Sequence, residues 1–399
     1  MVWLYKVYTP QHDNFITRYL KTVEYRQMIS LLVVSKGYFE TTNKEKGTYL
    51  TYYPKIRLKI LFDTGQLVLE EPIDGEQYMD RFAKGEFDKA IELSLLADKQ
   101  TSEFVKNKMI STFAFDPIKF RRSLIGLKPK KGVLQVVKGI DWKYDKFYNM
   151  LIAGDVGTGK SYMLFSVLGQ LLAVTSKVYV ADPKNSDLAS LAYTDFLKGQ
   201  VFHQFGDICA LVDRYYVNMM KRSDEMQKFK RQGILGAYFE FDLPPYFLMF
   251  DEYTAWHEFG ESLSYTDDDY KAYQQAMSQL NQIAMMGREL GFYIILGMQK
   301  PETSSLPNTI KNQLNFRVVM GKPSPEVEQS AFDGNEKQLL PLSQTLKGWG
   351  FLRLGNGNAV RAFFAPEVPR DFNLHEWLAE MAEQRKNVKY YQKKEVSSS

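Results

Sequence analysis

The 399-residue chain has one cysteine, Cys209, so no disulfide can form within it. Its four histidines, His12, His203, His257 and His375, are too scattered to make a Cys/His zinc pattern. Structural zinc is therefore not expected, and a reducing, cytoplasmic setting is. Charge of one sign is also scarce in excess. The 51 Lys and Arg stand against 47 Asp and Glu, a balance of +4 that by itself implies no polyanion partner. Long apolar runs are missing too. The best stretches, 31–34 and 163–174, fall short of the roughly 18 residues of a spanning helix, and the N-terminus MVWLYKVYTPQHDNF lacks the pattern of a secretory leader. The expectation is a chain that meets a membrane only through a partner.

What the chain does have is an ordinary globular composition, with 45% hydrophobic and 25% charged residues. Wholesale disorder is excluded. Aromatics are abundant, with 27 Phe and 25 Tyr, enough for a large core and for some stacking on partners. The length allows two or three domains.

Along the chain, residues 1–110 mix strand-like pieces (KIRLKILF, QLVLEEP) with a helix expected over 75–96, a small α+β module. Residues 111–147 read as a basic linker. Between 105 and 140 lie Lys106, Lys108, Lys119, Arg121, Arg122, Lys128, Lys130, Lys131 and Lys138 against a single acid, Asp116, either a solvated surface or a contact for a phosphate backbone. From residue 148 the order becomes strand, loop, helix, strand (NMLIAG, DVGTGKS, YMLFSVLGQLLAV, KVYVADP), the opening of a parallel sheet. Further buried strands are expected at 246–250, 292–298, 316–321 and 348–354, giving at least six. A helix is expected over 211–231 and a polar surface excursion over 256–270. Residues 371–399 read as a short helix and a basic tail.

Gly154, Asp155, Val156, Gly157, Thr158, Gly159, Lys160 and Ser161 spell GxxxxGKS between strand and helix. Glycines in that spacing let successive N–H groups face phosphates while the helix adds its positive end. Lys160 is expected to reach the β and γ phosphates of ATP, and Ser161 to ligate Mg²⁺. A second motif limits the chemistry. YFLMF delivers Asp251 and Glu252 to the strand end where ligands bind in open α/β sheets. Asp251 suits Mg²⁺, and Glu252 suits a general base that activates water, which favours hydrolysis over transfer to an acceptor. Gln299, after FYIILGM, is a candidate sensor of the γ-phosphate. Arg288 and Arg317, with no obvious acid partner in sequence, are candidates for a cation supplied to a neighbouring subunit; each can equally be a surface ion pair. The HRD and DFG elements of protein kinases are absent.

The order WKYDKFYNMLIAGDVGTGKS, VYVADPKNSDL, LPPYFLMFDEY, GRELGFYIILGMQKPE and IKNQLNFRVV resembles the FtsK/SpoIIIE/HerA group of DNA-pumping ATPases, including the coupling proteins of conjugation in Gram-positive mobile elements. The DPK element, Asp182, Pro183 and Lys184, sharpens the likeness, which covers roughly residues 135–370. The resemblance implies a RecA-like P-loop NTPase core with a parallel-rich sheet over 148–370, and a homo-hexameric ring threaded by double-stranded DNA. Lys160, Ser161, Asp251, Glu252 and Gln299 occupy the family's motif positions, with Arg288 the first choice for the trans arginine. Two departures stand out: the membrane helices common in the group are not seen, and the residues after Pro369 are too few for a DNA-reading domain. A different reading is an ATP-dependent adaptor that assembles on DNA, a relaxase or a replication initiator without moving along the duplex.

Overall fold

The structure is a computed structural model that describes residues 14–73, 78–95, 97–116, 121–137, 140–233, 235–302, 304–334, 339, 347–355 and 360–390. The chain divides into two compact units, Met1–Phe120 and Arg121–Ser399.

In the first unit, helix α1 (Phe15–Ser35) opens at Asn14, whose side chain accepts from Thr17 N at 2.9 Å. A hairpin, β1 (Glu40–Lys44) and β2 (Gly47–Tyr52), is followed by β3 (Arg57–Leu61) and β4 (Gln66–Pro72). Next come α2 (Met79–Ala83), α3 (Glu86–Leu95), β5 (Asp98–Val105) and β6 (Lys108–Ala114). The last four strands form an antiparallel sheet in the order β3-β4-β6-β5. Alternation along β4 and β6 turns Leu67, Leu69 and Phe113 toward Tyr38, Phe82, Phe87 and Ile91, which make the core. The single helix expected over 75–96 is two helices, broken at Lys84 and Gly85; residues 74–77 and 96 lie outside the described residues.

Glu71, at the inner end of β4, is fully buried, and neither of its carboxylate oxygens has a hydrogen-bond partner. Burial first, and then the charge of Asp88, push its carboxyl up from 4.5 to about 9, against the pull of Lys99. Below pH 4.5 folded and unfolded chains both hold this proton. Between 4.5 and about 9 only the folded chain does, so this group's contribution to stability falls as pH rises through that window. Glu71→Gln should flatten the pH dependence of unfolding and add roughly 1–3 kcal/mol at pH 8. Denaturant melts of both proteins at pH 5 and pH 8 check it, and equal pH slopes would refute it.

The second unit begins with a hairpin, β7 (Val133–Val137) and β8 (Ile140–Lys143). Then follow β9 (Met150–Ala153), α4 (Lys160–Val174), β10 (Val178–Ala181), a 3-10 turn (Ala189–Tyr193), β11 (Val201–Phe202) and α5 (Phe205–Arg231). The chain continues through β12 (Tyr246–Phe250), α6 (Tyr253–Ser262), α7 (Asp268–Leu290), β13 (Phe292–Met298) and α8 (Asn308–Lys311). It closes with β14 (Phe316–Met320), α9 (Pro325–Phe332), β15 (Trp349–Leu354), β16 (Arg361–Phe364) and α10 (Leu374–Gln384).

An eight-stranded sheet runs β11-β10-β12-β13-β9-β14-β15-β16, parallel from β11 through β14 and antiparallel at β15 and β16. Its central strands β9, β13 and β14 are buried at every position, as covering both faces with helices requires. This is the α/β fold expected from the strand-loop-helix order.

Several boundaries differ from the expectation. Residues 111–114 finish β6, so they are sheet and not linker. Residues 121–137 and 140–147 are folded structure as well. Leu134, Val136, Ile140 and Trp142 join the main core, and the Gln170 side chain on α4 accepts from Gln135 N at 2.7 Å and donates to its carbonyl at 3.0 Å. The basic run is divided between the units: Lys108 pairs with Glu70 at 2.8 Å in the first, Arg122 with Asp141 at 3.2 Å in the second. Lys119 and Lys138 lie outside the described residues. The expected surface excursion over 256–270 is mostly helix, because Trp256 is buried on α6 and Asp267 caps α7. Helix α10 belongs to the same core, with Trp377 seated directly on Gly169 of α4. The tail from 391 lies outside the described residues.

Candidate functional site

Strand β9 sits in the middle of the parallel sheet and ends at Ala153, so the loop 154–159 leaves the C-terminal edge between β13 and β14. Gly159, at φ +103, caps α4, and a Cβ there would stand 3.1 Å from the Gly348 backbone; only glycine allows that turn against that neighbour. Gly157 faces open space at φ +82, leaving the inside of the loop clear for a ligand. Thr158 Oγ1 bonds back to Asp155 O at 2.7 Å and tightens the turn. Lys160 and Ser161 then open α4, with the N-terminal N–H groups of a 15-residue helix behind them.

The parallel register brings the second motif to the same edge. Strand β12 lies two strands from β9, and Asp251 and Glu252 follow its last residue. Lys160 Nζ lies 3.1 Å from Asp251 Oδ1 and bonds Glu252 Oε1. All three side chains are nearly buried. Burial holds the Lys160 ammonium below its usual range, against the opposing pull of Asp251. A lysine desolvated in this way interacts strongly with any anion that enters.

Lys160 and the adjacent pair Asp251 and Glu252, which the sequence places far from it, therefore converge on one point. Gln299 lines the same cavity, and its carbonyl accepts from Gly154 N at 3.2 Å. Asp155, Val156 and Ser161 line it as well.

The sequence reading missed three features. Lys184 of the DPK element reaches across to Glu252 Oε2 at 3.0 Å, so two lysines hold this carboxylate. Asp182 shapes that loop, accepting from Ser186 N, Ser186 Oγ and Ala189 N at 2.8–2.9 Å. Burial nonetheless raises its pKa. Glu252 itself has left-handed backbone, φ 55 and ψ 49, an unfavourable geometry for a non-glycine residue and one that aims its side chain back at Lys160. Finally, a Cβ at Gly297 on β13 would fall 2.9 Å from Phe250 O and 3.2 Å from Asp251 Oδ1, so glycine there keeps room for the carboxylate. Only the DPK likeness carried a signal for any of these.

The donor set fits Mg²⁺. Asp251 Oδ1 is buried and has only the Lys160 ammonium beside it, at 3.1 Å, among the described residues, and Ser161 offers a hydroxyl at the same cavity. A carboxylate and a hydroxyl are the hard oxygen ligands this ion takes from a protein, with phosphates and water completing the shell. Among the described residues no group of three or more His, Cys, Asp or Glu forms an all-protein metal cage.

The two arginines part company. Arg317, on β14, is 1% exposed. Its Nε donates to Leu314 O at 2.8 Å, Nη1 to Ala331 O at 3.0 Å and Asp333 Oδ2 at 2.7 Å, and Nη2 to Lys311 O at 3.0 Å. It has an intrachain acid partner after all and cannot reach a neighbouring subunit. Arg288 is exposed at the end of α7, its guanidinium 5.1 Å from the Tyr148 ring centroid, just before β13 begins. That places it at the opposite edge of the sheet from its own phosphate loop.

No family model matches the chain. It is 30% identical over 371 residues to the FtsK domain-containing protein YdcQ of Bacillus subtilis (strain 168), covering 89% of this chain and 72% of that protein. The conjugation coupling protein TcpA of pCW3, solved as a monomer with ATPγS, shares the fold with a TM-score of 0.57 at 17% identity, over 90% of this chain and 99% of that one. Among the described residues no helix is long and apolar enough to cross a membrane. With a phosphate loop and an acid pair meeting at one sheet edge, the chain belongs to the FtsK-domain family and is a P-loop ATPase of the FtsK type.

Proposed function

We propose that this ATPase is a motor that moves double-stranded DNA through a ring of identical subunits, a hexamer, in the transfer or maintenance of a mobile element. The observation that carries the reading is the meeting of Lys160, Asp251 and Glu252 at the C-terminal edge of the parallel sheet. A triphosphate in the loop draws Lys160 away from the carboxylates, freeing Glu252 to orient a water and take its proton. Lys184 keeps that carboxylate pointed at the cavity. Ser161 and Asp251 would hold a magnesium ion, which would supply charge neutralisation at the phosphates. Gln299 lines the same cavity, which supports a role for its amide in sensing the γ-phosphate and the water.

The position of Arg288 supports the ring. An exposed cation at the edge opposite its own loop is of no use to that loop, but it can serve the loop of a second copy, stabilising transition-state charge there. The likeness to a conjugation coupling protein supports DNA transfer as the process. The reading further takes a relaxase or replication initiator as partner, a cytoplasmic location, and membrane contact only through that partner.

Two results test the reading. ATP turnover should rise about tenfold or more with duplex DNA at low salt, with no dependence on sequence, and the rise should fade steeply as salt increases. Arg288→Ala should bind ATP normally yet turn over at least about 10³-fold more slowly in the assembled state. ATPase rates indifferent to duplex at every salt concentration would sink the DNA motor.

A further inference from the structure

The cavity at the phosphate loop, about 940 Å³, extends past the residues used so far. Its two sides differ in charge. Strand β12, with both carboxylates, lies on one side of β9, whereas β14, β15 and β16 lie on the other. On that second side the lining includes Arg121, Lys347 and Arg370; among the described residues none of the three has an acid within ion-pair distance, although the charge of Glu367 acts on Arg121.

Arg121 is the best positioned of them. Its Nε donates to Ala365 O at 2.8 Å, and its guanidinium carbon lies 5.7 Å from the Phe364 ring centroid. Ala365 N donates to Gly348 O at 2.7 Å, and Gly348 N donates to Thr158 O of the phosphate loop at 3.2 Å. The arginine side chain is thus tied to the loop by a series of three hydrogen bonds, the last two between backbone groups. Nη2 stands 3.3 Å from where a Cβ on Gly348 would be, the residue whose N–H bonds the loop. With Nε anchored, the two terminal nitrogens keep their donors, the fork that matches phosphate oxygens. Burial lowers the arginine's pKa, a cost that a bound anion offsets.

We propose that Arg121 binds the nucleotide within its own chain, gripping the phosphates nearer the ribose while Lys160 faces the terminal one. The ligand class is a nucleoside di- or triphosphate, so the proposal rests on the nucleotide reading of the site. Arg121 is also the first residue of the second unit, so an anion that fixes it fixes the chain where that unit begins.

The test measures binding of ATP, ADP and adenosine to the wild-type chain, Arg121→Gln and Arg121→Lys, with melting curves taken without nucleotide. Arg121→Gln should lose about tenfold or more in affinity for ATP and ADP alike, with adenosine unchanged, and Arg121→Lys should recover most of the loss. Equal weakening of all three ligands means that Arg121 merely supports the Ala365 loop, and overturns the proposal. Unchanged affinities, or a loss confined to ATP, overturn it as well. Should Arg121→Gln fail to fold, the lysine variant decides: a loss of about threefold or more for ATP and ADP that spares adenosine supports the clamp, and affinities equal to wild type for all three ligands refute it. A wild-type chain that binds neither ATP nor ADP would instead refute the nucleotide reading itself.

Discussion

Glu252→Gln lowers the turnover number for ATP by about 10²–10⁴-fold while ATP affinity stays within a few-fold of wild type. The exchange keeps the length of the side chain and an oxygen for Lys160 or Lys184, both of which bond the carboxylate. What it removes is the negative charge that accepts a proton from water. Binding rests on other groups, the loop N–H donors, Lys160 and the magnesium ligands, so the affinity is carried by residues left in place. Single-turnover hydrolysis and binding of a non-hydrolysable analogue separate the two effects. The same variant distinguishes a motor from an adaptor. A chain that only needs to bind ATP to assemble on its partner keeps its function in Glu252→Gln, whereas a translocase stops. Hydrolysis at the wild-type rate would remove Glu252 from the chemistry.

Arg317→Ala destabilises the second unit by about 3–5 kcal/mol, and it does so without touching the nucleotide site. The guanidinium satisfies the carbonyls of Leu314, Ala331 and Lys311 as well as Asp333, and it is almost wholly buried. Truncation leaves those acceptors without donors and opens a cavity beneath α9. Asp333 keeps Lys311 at 3.2 Å and Arg353 at 2.7 Å, so its own charge stays compensated, which holds the loss to that range. The melting temperature should drop by roughly 6–15 °C, and protein folded below the melt should bind ATP as wild type does. Arg288→Ala, at an exposed position, should leave the melting temperature within about 2 °C. A melt unchanged in Arg317→Ala would mean that the polar network around Asp333 contributes nothing to the fold.

Legibility in the sequence followed the range of the interactions concerned. The phosphate loop is one continuous segment whose spacing dictates its backbone, and a strand followed by two acids announces its own edge. Both were readable residue by residue, and so was the sheet, since YFLMF and FYIILGM are short apolar runs rich in aromatic and branched residues, the pattern of buried strands. The linker over 111–147 was misread for the opposite reason. A density of lysine and arginine says nothing about partners, and Gln135 and Trp142 reveal their role only against α4 and the core.

From local pattern alone the chain announces a nucleotide-binding α/β unit with hydrolytic equipment, because glycine spacing, strand periodicity and adjacent acids act within a few residues. Packing settled which charged side chains serve that equipment. It joined Lys160 to Glu252 across 92 positions, gave Glu252 its second lysine, buried Arg317 in the scaffold and brought Arg121 to the phosphate loop through a carbonyl 244 residues away. Long cationic side chains take their partners from whatever the sheet order brings beside them, and that order is a property of the folded chain.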